Sequence, residues 1–403
     1  ASGVGDPYFP ELGNGGYDAQ HYTIDLDVDL DTTTIAGSVR MTARATQALS
    51  SFNLDFAGFT IDSIVVNGRS ANFTRQNREL IITPASSIRN GASFDVTVTY
   101  SGVPGRNVDL PQLPFSRGWT FYSAGVYVAS EPDGASLWYP VNDHPSDKAT
   151  YTTIITVDDP YIVAANGTLS DVTTANAQST YTWDNQDPTA SYLVTVNIAE
   201  FARSDDAIVN DVPIRNYFPD YRQSMGDEVF SNTGEMMQLF NEHFTDYPFE
   251  AYGAVVADTR LPFALETQTL SLFGSNILTS STGAQVTIAH ELAHSWSGNA
   301  VTNGAYLLKE WVVASEIVLE ANPDYWDAEN VGVGRVEYYP IENTSSELKR
   351  YQAGELDWTG SVPIPQLETV RTHVPDQLKT KPSLSNYYYG LNVTREPFQD
   401  SPE

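Results

Sequence analysis

The 403-residue sequence has no cysteine. Disulfides and thiolate metal sites are therefore excluded, which leaves histidine, aspartate and glutamate as the metal-capable side chains. No uninterrupted run of about 18 apolar residues occurs, so no segment reads as a membrane-spanning helix. Positive charge is scarce: 21 Lys and Arg stand against 51 Asp and Glu, a formal net charge of -30. Such a chain is repelled by nucleic acid and by anionic membrane surfaces, and neither is an expected partner. A charged and apolar leader is also missing; the opening ASGVGDPYFP suits the mature end of an exported protein, and a secreted or periplasmic location is the expectation.

What is present describes a globular protein. Hydrophobic residues make up 41% and aromatics 12%, and the length allows two or three domains. Tyr22, Ile24, Leu26, Val28 and Leu30 alternate with Thr23, Asp25, Asp27 and Asp29, the pattern of a half-buried strand. Shorter alternations recur at Phe94 to Tyr100 and at Tyr151 to Val157, and residues 1 to about 203 read as antiparallel β structure. From Ser224 to Phe244 the period changes: Val229, Thr233, Met236, Phe240 and Phe244 fall at steps of three and four, which predicts one amphipathic helix. Tyr252 to Ala257 reads as a strand.

Composition shifts near residue 303. Residues 1 to 303 hold one lysine, Lys148, with 25 Asp against 10 Glu; residues 304 to 403 hold four lysines, with 5 Asp against 11 Glu. No internal repeat or low-complexity linker marks the junction.

The stretch TIAHELAHSWSGNAVT, residues 287 to 302, carries the chemistry. His290 and His294 stand four apart, so a helix projects both imidazoles from one face toward a point where a zinc ion could sit. Glu291 is not a ligand in such a motif; beside the metal it takes a proton from water and returns it to a leaving amine. The plain alternative is an amphipathic helix with two incidental histidines. Two of only six histidines flanking a glutamate in an apolar run favour the metal. A catalytic zinc takes three protein ligands and leaves one position for water, so a third ligand has to come from elsewhere.

HELAHSWSGNAVT resembles the aminopeptidase N family of zinc peptidases, the gluzincins. ALETQ, residues 264 to 268, is similar to the family's exopeptidase signature, and SEPDGASLWYPVNDHPSDKATY from Ser130 resembles its N-terminal domain. The resemblance implies a multidomain α+β protein: a saddle-like or sandwich antiparallel β domain over residues 1 to 203, then the first part of a thermolysin-like α/β catalytic domain over 204 to 303. It implies a zinc aminopeptidase acting on peptides with a free N-terminus. In this family the carboxylate matching Glu266 binds the substrate α-amine, a charge-assisted contact. Without the resemblance Glu266 reads as a solvated strand-edge charge. Glu131 aligns with a second acidic residue near the amine pocket, although Ala129 stands where the family has glutamine.

The family's third zinc ligand is a glutamate nineteen residues beyond the second motif histidine. Here that position is Val313, which cannot bind zinc. A gapped reading offers Glu310, with LLKEW standing for the family's WLNEG. The peptidase-like part also stops before the family's oxyanion-stabilising tyrosine.

From Gly304, GAYLLKEWVVASEIVLEANPDYWDAENVGVGRVEYYPIENTSSELKRYQAGELDWTG resembles the oligopeptide-binding proteins of bacterial importers, and the likeness runs through NYYYGLNVTREPFQD. It implies an α/β fragment of about one lobe over 304 to 403. Trp311 to Val313 and Ile317 to Leu319 would be strands, Asn343 to Ala353 a helix, and Tyr387 to Tyr389 part of a strand bordering a peptide cleft. The chain then reads as a fusion. It is a zinc aminopeptidase with an incomplete site or, alternatively, a catalytically inactive peptide-binding fusion; the sequence sets no oligomeric state.

Overall fold

The alternation at Tyr22 forms the strand Tyr17–Asp29, in which Tyr22, Ile24, Leu26 and Val28 are buried while Asp25, Asp27 and Asp29 face solvent. Period-two patterning places one set of side chains on each face, so a one-residue slip would expose the whole apolar set. The computed structural model describes residues 3–6, 10–105, 115–279, 281–300, 306–312, 315–323, 328–341, 343–360 and 362–378. The chain divides into two units, Ala1–Gly304 and Ala305–Glu403.

In the first unit, Tyr17–Asp29 lies near the middle of an eight-stranded sheet. On one side it pairs antiparallel with Thr34–Ala45, which continues to Ser93–Gly102 and Thr60–Val66. On the other it pairs with Ala149–Asp158, and there the strands run parallel, His21 opposite Thr150 through Asp27 opposite Thr156. The expectation of purely antiparallel structure is corrected at this pair. Parallel neighbours need a long crossover, and the chain between them builds other strands before it returns. A second sheet, in the order Ile162–Ala165, Val196–Ala199, Gly125–Ala129, Gly118–Tyr122, shares the apolar core with the first. Buried tyrosines in this core find partners for their hydroxyls: Tyr100 donates to the Trp138 carbonyl at 2.8 Å, and Tyr22 accepts from Asn142 N at 3.1 Å.

A third, mixed sheet carries the histidine motif. Its strands are Phe201–Val209, Val212–Pro219, Ala254–Ala257 and Ser271–Gly274, the last two joining in parallel. The first of them runs across positions 203 and 204. Three helices accompany this sheet: α1 (Gln223–Phe230), α2 (Thr233–His243) and α3 (Thr282–Ala293). The single helix expected over 224 to 244 is two. Ser231 Oγ donates to the Glu228 carbonyl and Thr233 Oγ1 to the Phe230 carbonyl, both at 2.7–2.8 Å, so side chains take acceptors at the break. Gly226 lets α1 lie against Phe218, where an added Cβ would meet the ring at 2.4 Å.

The second unit has a three-stranded antiparallel sheet, Tyr306–Val312, Glu316–Ala321 and Arg335–Tyr338. Helix α4 (Thr344–Gln352) follows, capped by the Asn343 side chain, which accepts from Ser346 N at 2.9 Å, and then α5 (Leu367–His373). Among its described residues the buried apolar side chains are Val318, Leu348 and Val370, while Trp358 and Ile364 are exposed.

Candidate active site

Helix α3 begins at Ser281, whose side chain accepts from Ala284 N at 3.2 Å and so satisfies one free donor of the first turn. Ala284, Ile288 and Leu292, spaced by four, bury one face against the third sheet and its helices. Glu291 lies beside that face, 6% exposed, whereas His290 is exposed and His294 half-buried. His294 is the C-cap residue and keeps helical angles, φ -59° and ψ -24°, so the spacing of four still holds. Beyond it Trp296 Nε1 donates to the Thr245 carbonyl at 2.8 Å, pinning the exit of the helix to the end of α2.

The two imidazoles are arranged as a metal pair needs. His294 Nδ1 lies 3.3 Å from the Ser297 carbonyl, which can only accept, and the tautomer that donates there leaves the Nε2 lone pair for a metal. That Nε2 stands 3.1 Å from His290 Nε2. Two nitrogens about 2.0–2.1 Å from a tetrahedral zinc would be roughly 3.3 Å apart, so the pair fits the ion.

Glu266 reaches the same place from a different element. Leu265 and Leu272 pair through two backbone hydrogen bonds of 2.9 and 2.8 Å, and residues 266 to 270 form the loop between them. In that loop Thr269 adopts φ +66°, a conformation that a β-branched side chain rarely takes. The surroundings hold it there: Gly167 N donates to Thr269 Oγ1 at 2.7 Å, Asn166 Nδ2 to the Gln268 carbonyl at 2.5 Å, and Arg215 Nη1 to the Thr269 carbonyl at 3.1 Å. Arg215, 4% exposed, also donates to the carbonyls of Tyr252, Ala165 and Gly167.

Ligand-capable atoms of Glu266, Glu291 and His294 all lie within 4.8 Å of one another; His290 is not in that group and meets it only through His294. Burial pushes the Glu291 carboxyl up to about 8, and the charges of Glu266 and Glu131 add to the shift. Glu131, exposed along the same site, is also raised, first by partial burial and then by Glu266, with His294 opposing. Like charges gathered beside the two imidazoles disfavour ionisation until a cation joins them. This donor set resembles a zinc site.

Comparison with known proteins agrees with this likeness. The family model of the Peptidase M1 N-terminal domain matches residues 18–193, and that of bacterial extracellular solute-binding proteins, family 5 Middle, matches 247–402. The second match begins upstream of Gly304. The M1 zinc metallopeptidase from Deinococcus radiodurans has a similar structure, with a TM-score of 0.64 and 29% identity, covering 74% of this chain and 69% of that one. Leucine aminopeptidase 2 of Vanderwaltozyma polyspora is 25% identical over 313 residues, 73% of this chain and 46% of that protein. The periplasmic oligopeptide-binding protein OppA of Escherichia coli is 42% identical over 104 residues, 26% of this chain and 19% of that protein. The chain thus spans less than half the length of these two curated relatives. Among the described residues no helix is long and apolar enough to cross a membrane.

Glu310 lies in the second unit, exposed on the strand Tyr306–Val312. Val313 and Tyr387 to Tyr389 fall outside the described residues. Sequence reasoning missed Tyr192. Burial raises its hydroxyl well above the usual tyrosine range, with Glu266 and Glu131 contributing, so it stands in the field of the same carboxylates. A tyrosine in the run SYLVTV gives no signal of its own, because distant chain segments set its neighbours.

Proposed function

We propose that the first unit is a zinc-dependent aminopeptidase that removes N-terminal residues from peptides. The supporting observation is the convergence of His290, His294, Glu291 and Glu266, from two separate elements, with the imidazole nitrogens 3.1 Å apart. His290 and His294 would hold the ion, which when bound supplies Lewis-acid polarisation of the scissile carbonyl and acidifies water. Glu291, its carboxyl fixed by a buried helical position, takes the proton from the attacking water and passes it to the leaving amine. Glu266, on its braced loop, pairs with the substrate ammonium and sets the first peptide bond over the site. Glu131 adds negative charge on the amine side. Residues 304 to 403 then form an oligopeptide-binding-protein-like segment fused to this enzyme, in a secreted or periplasmic protein.

A second reading, a peptide-binding fusion without turnover, is favoured by the metal-capable group itself: beside His294 it holds only Glu291 and Glu266, to which the first reading gives other roles. Hydrolysis of unblocked aminoacyl anilides by the zinc-loaded protein separates the two, with Glu291→Gln as the paired control. Turnover that depends on Glu291 supports the enzyme. Absence of turnover with zinc retained supports the binding protein.

A further inference from the structure

Asn299 connects the histidine helix, the Glu266 loop and the first sheet. It is 1% exposed, and each of three polar groups has a different partner. Its backbone N–H donates to the His294 carbonyl at 3.0 Å, and its side-chain Nδ2 donates to the Glu266 carbonyl at 2.7 Å. Its own carbonyl accepts from Lys148 Nζ at 2.5 Å. Lys148 immediately precedes the strand Ala149–Asp158 and is the single lysine of residues 1 to 303. In a region with 35 acidic residues (25 Asp and 10 Glu), its ammonium has no ion-pair partner among the described residues and is directed at a backbone carbonyl. Gly298, at φ +136°, makes the turn; a Cβ there would stand 3.3 Å from His294 Nδ1.

We propose that Asn299, backed by Lys148, is a positioning residue that fixes the amine-recognising carboxylate Glu266 relative to the metal-facing His294. The inference rests on the aminopeptidase reading and adds to it how the two halves of the site are kept in register. One asparagine spans both backbones, so the Glu266 carbonyl cannot drift from the His294 carbonyl without breaking a partly buried hydrogen bond. Small displacements between groups that must engage one substrate together are costly, which gives the node its consequence for recognition.

The test compares two probes on the zinc-loaded protein. Glycine hydroxamate and acetohydroxamate present the same metal-binding group, and the first alone carries an α-amine. Their ratio of affinities reports amine recognition, and competition with a chromogenic chelator reports zinc affinity. Asn299→Ala keeps the backbone bonds to His294 and Lys148 and loses only the one to Glu266; Lys148→Met leaves the asparagine side chain and removes its support. Each variant is expected to lower the glycine-to-acetohydroxamate ratio about 10-fold, as losing a supporting hydrogen bond does elsewhere, with zinc affinity within about threefold of the parent. A merely structural role would lower the melting temperature and leave the ratio unchanged. A high parent ratio that both variants keep overturns this inference alone, whereas a parent ratio near one overturns the amine role of Glu266 and this inference with it. Should Asn299→Ala fail to fold, Lys148→Met decides, because its side chain is partly solvated.

Discussion

His290 and His294 bring their Nε2 atoms to 3.1 Å of each other, and the Ser297 carbonyl orients the second ring through Nδ1. On the proposed reading, metal binding depends on both rings. His294→Ala is expected to weaken zinc by more than the roughly 10- to 100-fold that losing a ligand's hydrogen-bond partner costs. Chelator competition followed by metal analysis checks this; tight retention of zinc by the variant would remove His294 from the ligand set.

Glu266→Ala is expected to lower kcat/KM for substrates with a free N-terminus by roughly 10- to 100-fold, the worth of one charge-assisted contact. N-acetylated analogues should be affected far less. Equal losses on both substrate types would show that Glu266 does not read the amine.

Arg215 is a buried guanidinium that serves four backbone carbonyls and lies 5.4 Å from the Trp183 ring, with no ion-pair partner among the described residues. Arg215→Met would leave those acceptors buried without donors. A loss of about 3 kcal/mol or more in urea denaturation is expected. The Thr269 turn should loosen as well, which hydrogen exchange in residues 265 to 272 would register as faster opening.

Asp147 accepts from Ala19 N at 3.2 Å, and burial raises its carboxyl to about 6 from an ordinary value of 3.8. The folded state therefore holds this proton more tightly than the unfolded state. Its stabilising contribution is complete below about pH 4 and is lost as pH rises through about 6. Glu250, raised to about 7 by burial and by Asp187, acts in the same direction over a wider window. The melting temperature is expected to fall between pH 4 and pH 7, and Asp147→Asn should flatten the part below pH 6. A parallel curve for the variant would exclude Asp147 as a source of the slope.

The sequence was most legible where a period was long and one face was buried. Tyr22, Ile24, Leu26 and Val28 emerge as a strand because alternation alone decides which side faces the core. His290, Glu291 and His294 were legible because helical spacing carries their geometry. Glu266 was reached through resemblance, since nothing local reveals that the 266–270 loop is braced by Arg215 and Asn166. The helix break at Ser231 and Asn232 escaped the periodicity because it depends on hydroxyls capturing carbonyls, which leaves the apolar spacing intact. Asn299 and Lys148 are held by partners far along the chain, and no short window contains those pairs.

The uneven distribution of lysine has a practical consequence for proteolysis. Lys148 is the one lysine-directed cleavage point in residues 1 to 303, and its ammonium is occupied by the Asn299 carbonyl. Lys309 and Lys349 of the second unit are exposed. A lysine-specific endopeptidase acting on the native protein should therefore degrade the second unit and spare the first, leaving a fragment with both histidines and both glutamates of the candidate site.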